Sequence, residues 1–144
     1  MLVGGVLLFV SLFLTWSHQL PSSVLSAAGS SPGLRGVPAN PTAWQVYSIA
    51  DALLALLAVG LVTVALAGRS PGARIAVLLA AAIALAFVAH ALSSPPTNGV
   101  LLLNPVASSP QYLHPAATAG AGETVALVAM ALAAAGLLVG LATD

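Results

Sequence analysis

Residues 43–60 read AWQVYSIADALLALLAVG, and this stretch decides the fold. A transmembrane helix needs about 20 mostly apolar residues, and the apolar run from about Trp44 to Ala67 has that length. The run contains one acid, Asp51. An ionised carboxylate in hydrocarbon costs about 2.5–3.5 kcal/mol on insertion scales. We therefore expect Asp51 to face the interior of a helical bundle rather than lipid.

The composition of the whole chain agrees with a membrane location. Of the 144 residues, 60% are hydrophobic and only 4% are charged, whereas soluble chains carry about 25% charged residues. The three basic residues are all arginines and cannot form the basic patch that nucleic-acid binding needs. The chain has no cysteine, which excludes disulfides, thiolate catalysis and cysteine-ligated metal clusters.

Four segments are apolar and long enough to span a bilayer: 1–17, 44–67, 73–92 and 123–142. They predict an all-α fold, a polytopic membrane four-helix bundle in a single domain. The first segment could instead be a signal peptide, since SAA at 26–28 resembles a cleavage site. Because it lacks a basic n-region, we expect it to be retained as a span.

The orientation follows from two arginines. Arg69 and Arg74 lie in the stretch GRSPGAR at 68–74, which contains the short link 68–72 between the second and third spans. The positive-inside rule places this link in the cytoplasm. Both termini are then cytoplasmic as well. Arginine without lysine, with abundant Ala, Leu, Val and Gly, is typical of a GC-rich bacterial genome, so the predicted location is a bacterial cytoplasmic membrane.

The two outer segments, 18–43 and 94–122, are rich in Pro, Ser, Gly and Asn. This composition predicts two long irregular loops rather than strands or helices. At the end of the first loop, Asn40 and Pro41 resemble an N-cap followed by proline at the first helical position. We therefore expect the second helix to begin there.

One ionisable residue lies near the outer end of each predicted span: His18, Asp51, His90 and Glu123. Each lies on a small or polar helix face, which predicts that all four point into the bundle. They could form a hydrogen-bonded network that fixes helix packing, bind a divalent metal, or provide an ion path through Asp51. A haem b between His18 and His90 is disfavoured by their shallow position.

Small residues recur on the same faces and predict close helix packing. The predicted packing positions are Ala82, Ala86, Ala133, Gly136 and Gly140.

The segments GGVLLFVSLFLTWS at 4–17, AWQVYSIADALLALLAVGLVTVALAG at 43–68 and AGAGETVALVAMALAAAGLLVGLA at 119–142 resemble a family of small four-helix membrane proteins of high-GC Gram-positive bacteria. Trp16, Trp44 and Asp51 match that family's pattern. Thr15 stands where the family often has proline, and His90 lies where the third helix usually ends with an arginine. If that arginine normally pairs with the acid of helix two, the resemblance implies an Asp51–His90 pair that titrates near neutral pH. It implies no activity.

These features together predict a non-enzymatic accessory or structural subunit of a larger membrane complex, without a cofactor. Its partners would be membrane lipids and other membrane subunits or further copies of itself. The alternative is a small transporter, channel or metal-binding protein centred on Asp51, His90, His18 and Glu123. An enzyme acting alone is not expected, because the sequence has no nucleophile–base pair, phosphate loop or cofactor fingerprint.

Overall fold

The computed structural model describes residues 1–20, 38–47, 49–67, 70–97, 102–104, 111–113 and 117–142. The chain is mostly helical. The helices are α1 (Leu2–Ser11), α2 (Ala43–Val46), α3 (Ala50–Ala67), α4 (Pro71–Ser93) and α5 (Ala121–Ala142). The strands are β1 (Ser17–His18), β2 (Leu102–Asn104), β3 (Gln111–Leu113) and β4 (Thr118–Ala119).

In the described part of the chain, three helices are long and apolar enough to cross a membrane: α3, α4 and α5, with 18, 23 and 22 residues. At 1.5 Å per residue they measure about 27, 35 and 33 Å, close to the thickness of the hydrocarbon core. The prediction of an all-α membrane fold is confirmed to this extent. The Arg74 side chain lies at the end opposite the strands and donates from Nη1 to the Gly140 carbonyl over 2.7 Å.

The first predicted span is much shorter than expected. The helix α1 has ten residues and ends at Ser11, instead of continuing to residue 17. The amides of Phe13 and Leu14 donate three residues back, to Val10 and Ser11, so the chain tightens into turns. The indole N–H of Trp16 then donates a hydrogen bond to the Ser11 carbonyl over 2.8 Å. The fourth span is therefore not confirmed, because α1 is about 15 Å long, half the hydrocarbon thickness.

The second predicted helix is broken near its start. The short helix α2 begins after Thr42, whose amide donates to Gln45 Oε1 at 3.0 Å. The prediction that Asn40 and Pro41 start this helix was wrong, because Thr42 is the capping residue. Tyr47 ends α2 in an extended conformation, with φ −112° and ψ 137°. The chain becomes helical again at Ala50.

The outer segments contain short strands where the sequence predicted irregular loops. β1 pairs antiparallel with β4, with Ser17 opposite Ala119. β2 pairs antiparallel with β3, with Leu103 opposite Tyr112. The amides of Gly120 and Gly122 donate to the carbonyls of Trp16 and Thr15, which ties the start of α5 to the chain after α1. We call the end of the bundle that carries β1 and β4 the strand end.

The helices form an incomplete bundle. α1 packs between α3 and α5, and α5 also packs along α4, whereas α3 and α4 touch little. The close approach of α1 to α5 depends on Gly4, where an added Cβ would lie 2.6 Å from the Ala129 carbonyl oxygen. The core is continuous through the bundle, and its largest members are Trp16, Leu8, Leu12, Leu61, Met130 and Leu137.

Candidate functional site

Two acids lie inside the strand end of the bundle. Asp51 is 1% exposed and Glu123 is 0% exposed. Each lies in the first turn of its helix, Asp51 in α3 and Glu123 in α5, where the helix dipole favours a negative charge. The sequence-based expectation that these two acids face the interior is confirmed.

The buried carboxyl oxygens lack partners. Three buried oxygens accept no hydrogen bond from the described residues: both carboxyl oxygens of Glu123 and Oδ1 of Asp51. Buried polar atoms are almost always paired in folded proteins, since an unmade bond costs about 1–3 kcal/mol or more when the group is charged. Unpaired carboxyl oxygens on a membrane helix therefore indicate a candidate functional site.

Aromatic side chains form a cluster at this end of the bundle. The rings of Trp16 and Tyr47 meet edge to face, with centroids 5.8 Å apart, and Tyr47 meets Phe87 at 5.1 Å. Trp16 is fully buried and packs on Gly122, the residue before Glu123, where an added Cβ would clash with the indole. The aromatic group thus connects α1, α4 and α5 around the segment before α3.

The charges of both acids act on the hydroxyl of the half-buried Tyr47. Burial raises the pKa of Tyr47 to about 12, and the carboxylates of Glu123 and Asp51 add to the rise. The phenol therefore keeps its proton at every physiological pH and can donate it in a hydrogen bond. Both carboxylates lie within electrostatic reach of this one hydroxyl.

The two histidines lie elsewhere. His18 is exposed and its Nδ1 lies 2.6 Å from Asn40 Oδ1. His90 is exposed on α4, and in the described structure no hydrogen bond or ion pair joins it to Asp51. The expectation that these histidines point inward was wrong. The buried face of α4 is formed by Ala81, Ala84, Val88 and Ala91, and the stripe through Ala82, Ala86 and His90 lies beside it.

The structure does not bring the four predicted site residues together as a set. No group of three or more His, Asp or Glu side chains in the described ranges is placed to hold a metal ion. The predicted metal role of His18, Asp51, His90 and Glu123 stays a prediction.

The predicted packing residues divide between two helices. On α5, Ala133 is fully buried against Gly4. Gly136 and Gly140 lie beside Met1, which closes the end opposite the strands. On α4, Ala82 and Ala86 are exposed and do not belong to the core cluster of the described residues.

The sequence did not reveal a groove between α3 and α4. It has a volume of about 580 Å³ and is lined only by apolar residues. Gly60 lies on its α3 wall, and an added Cβ there would meet no atom within 4 Å. The lining residues are Ala50, Leu53, Leu54, Leu56, Leu57, Gly60, Ala76, Val77, Ala80, Ile83, Ala84 and Phe87.

Comparison of the chain with protein-family models, with curated proteins and with solved structures gave no match. The resemblance drawn from Trp16, Trp44 and Asp51 therefore stays a prediction.

Proposed function

We propose that this protein is a non-enzymatic, multi-pass accessory subunit of a larger complex in a bacterial cytoplasmic membrane, with both termini in the cytoplasm. In this role the α3–α4 groove receives a transmembrane helix of a partner subunit. The proposal assigns the chain no reaction and no cofactor.

The observation that carries the proposal is the open side of the bundle. α1 and α5 fill the space between their neighbours, but α3 and α4 leave an apolar groove. Gly60, Ala76 and Ala80 on its walls have little or no side chain. Membrane helices associate through close packing at small residues, because lipid removes the hydrophobic gain that drives association in water. A partner helix would make these contacts better than mobile lipid chains.

The test is native mass spectrometry of the protein after mild extraction from its own membrane. We expect a mass above the 14.1 kDa of one chain, with the excess explained by another polypeptide. The matched pair of variants is Ala80→Leu, which fills the groove, and Ala82→Leu, which places the same side chain on an exposed position of α4 outside it. Ala80→Leu should lose the partner and Ala82→Leu should keep it.

Two results would contradict the proposal. The wild-type chain could appear only as a monomer or as copies of itself, with no other polypeptide. Alternatively, Ala80→Leu could retain the partner as well as the wild type, which would place the contact outside the groove.

A further inference from the structure

For an ionised Asp51 or Glu123, the dipole at the start of its helix gives only partial compensation of the charge. Both are buried, and three of their four oxygens receive no hydrogen bond from the described residues. The described histidines are exposed, and His18 contacts Asn40. Arg74 lies at the other end of the bundle, against Gly140. A buried charge without a partner is neutralised in practice, either by taking up a proton or by binding a counter-ion.

The surroundings distinguish between these two ligands. A calcium ion takes six to eight oxygen ligands and magnesium requires near-ideal octahedral geometry. Among the described residues, no group of three or more His, Asp or Glu side chains is placed to hold a metal ion, so the two acids bring few of the oxygen ligands that such an ion needs. A proton needs a single oxygen and no additional space.

We propose that Asp51 and Glu123 form a proton-binding site inside the strand end of the bundle. Each carboxylate accepts a proton from hydronium, which leaves as water, and becomes a neutral carboxylic acid. Tyr47 is half-buried, and the charges of both acids act on its hydroxyl. This inference goes beyond the accessory role and does not depend on a partner.

Dicyclohexylcarbodiimide tests the proposal on the wild-type protein in lipid vesicles. This apolar reagent takes the proton of a carboxylic acid on its nitrogen while its central carbon bonds to the carboxyl oxygen, and the adduct rearranges to a stable N-acylurea. We expect peptide mass spectrometry to find the adduct on both Asp51 and Glu123 at neutral pH. Labelling should fall about tenfold per pH unit once the acids begin to ionise.

The chain supplies its own control. A water-soluble carbodiimide should leave Asp51 and Glu123 unmodified, because both are buried. Asp51→Asn and Glu123→Gln should each remove one apolar adduct, which assigns the peptides without requiring either variant to be fully stable.

Three results would overturn the proposal. The apolar reagent could label neither acid, or it could label one alone, which would exclude a paired site. Labelling could also be suppressed by sodium, magnesium or calcium ions at constant pH, which would make the ligand a metal cation. Because the labelling uses the purified chain, it can fail while a partner polypeptide is still found, and the reverse also holds.

Discussion

The packing of α1 against α5 gives the sharpest quantitative prediction, through the substitution Gly4→Ala. A Cβ at Gly4 would lie 2.6 Å from the Ala129 oxygen, 2.8 Å from the Ala133 nitrogen and 2.9 Å from the Ala133 Cβ. Two of these atoms belong to the α5 backbone and cannot move aside as a flexible side chain could. The two helices must therefore separate to accept the methyl group.

The size of the effect follows from comparison with Gly60→Ala. Overpacking a tight contact costs about 1–3 kcal/mol, while alanine is favoured over glycine in a helix by up to about 1 kcal/mol. At Gly60 an added Cβ meets nothing within 4 Å, so only the helical preference acts there. We expect Gly4→Ala to be less stable than Gly60→Ala by about 1–3 kcal/mol, since the helical preference contributes to both variants.

The measurement is reversible unfolding in mixed micelles, followed by tryptophan fluorescence. Trp16 is fully buried and Trp44 is exposed, so a Trp44→Phe background makes Trp16 the single reporter of core packing. The reasoning would be refuted if Gly4→Ala were as stable as Gly60→Ala or more stable. That result would mean that α1 and α5 are not in close contact at this position.

Two further predictions concern Tyr47 and Arg74. In a Tyr112→Phe variant, the phenolate absorbance of Tyr47 should appear near pH 12 instead of pH 10. Because folding raises the pKa of this group, the folded state should lose stability as the pH rises from about 10 towards 12. Titration near pH 10 would show that the phenol is not buried. Arg74→Gln removes the charged donor from the Gly140 carbonyl and should lower the free energy of unfolding by about 1–2 kcal/mol. An unchanged free energy of unfolding in the same micelles would contradict a structural role for this hydrogen bond.

Much of the fold could be predicted from apolar run lengths and isolated charges. The predicted spans at 44–67, 73–92 and 123–142 correspond to three long helices within one or two residues at most ends. The inward orientation of Asp51 and Glu123 followed from the cost of placing a carboxylate in lipid, a strong energetic constraint. Where one large free-energy cost determines which way a side chain faces, a single sequence is sufficient to predict that orientation.

The departures from the sequence-based prediction occur where tertiary hydrogen bonds decide the conformation. Residues 12–16 are as apolar as the helix before them, yet the Trp16 indole and the bond from the Trp16 amide to the Pro41 carbonyl end α1 early. Likewise, the break at Tyr47 places its ring against Trp16 and Phe87. The contacts of Trp16 with Pro41 and of Tyr47 with Trp16 and Phe87 join segments that are distant in sequence, so no local pattern indicates them.

The histidine prediction failed because polarity is a weak guide to the inside of a membrane bundle. On α4 the large residues Leu79 and Ile83 are 62% and 74% exposed, whereas the small Ala81 is buried. Since lipid solvates leucine well, large apolar residues can face outward while a small alanine faces the core.

Size alone leaves two small-residue faces on α4, one through Ala76 and Ala80 and one through Ala82 and Ala86. The first continues across a concave surface to Gly60 on α3, so it offers a partner helix contacts on two sides. These contacts on two sides are the reason to expect the partner in the groove.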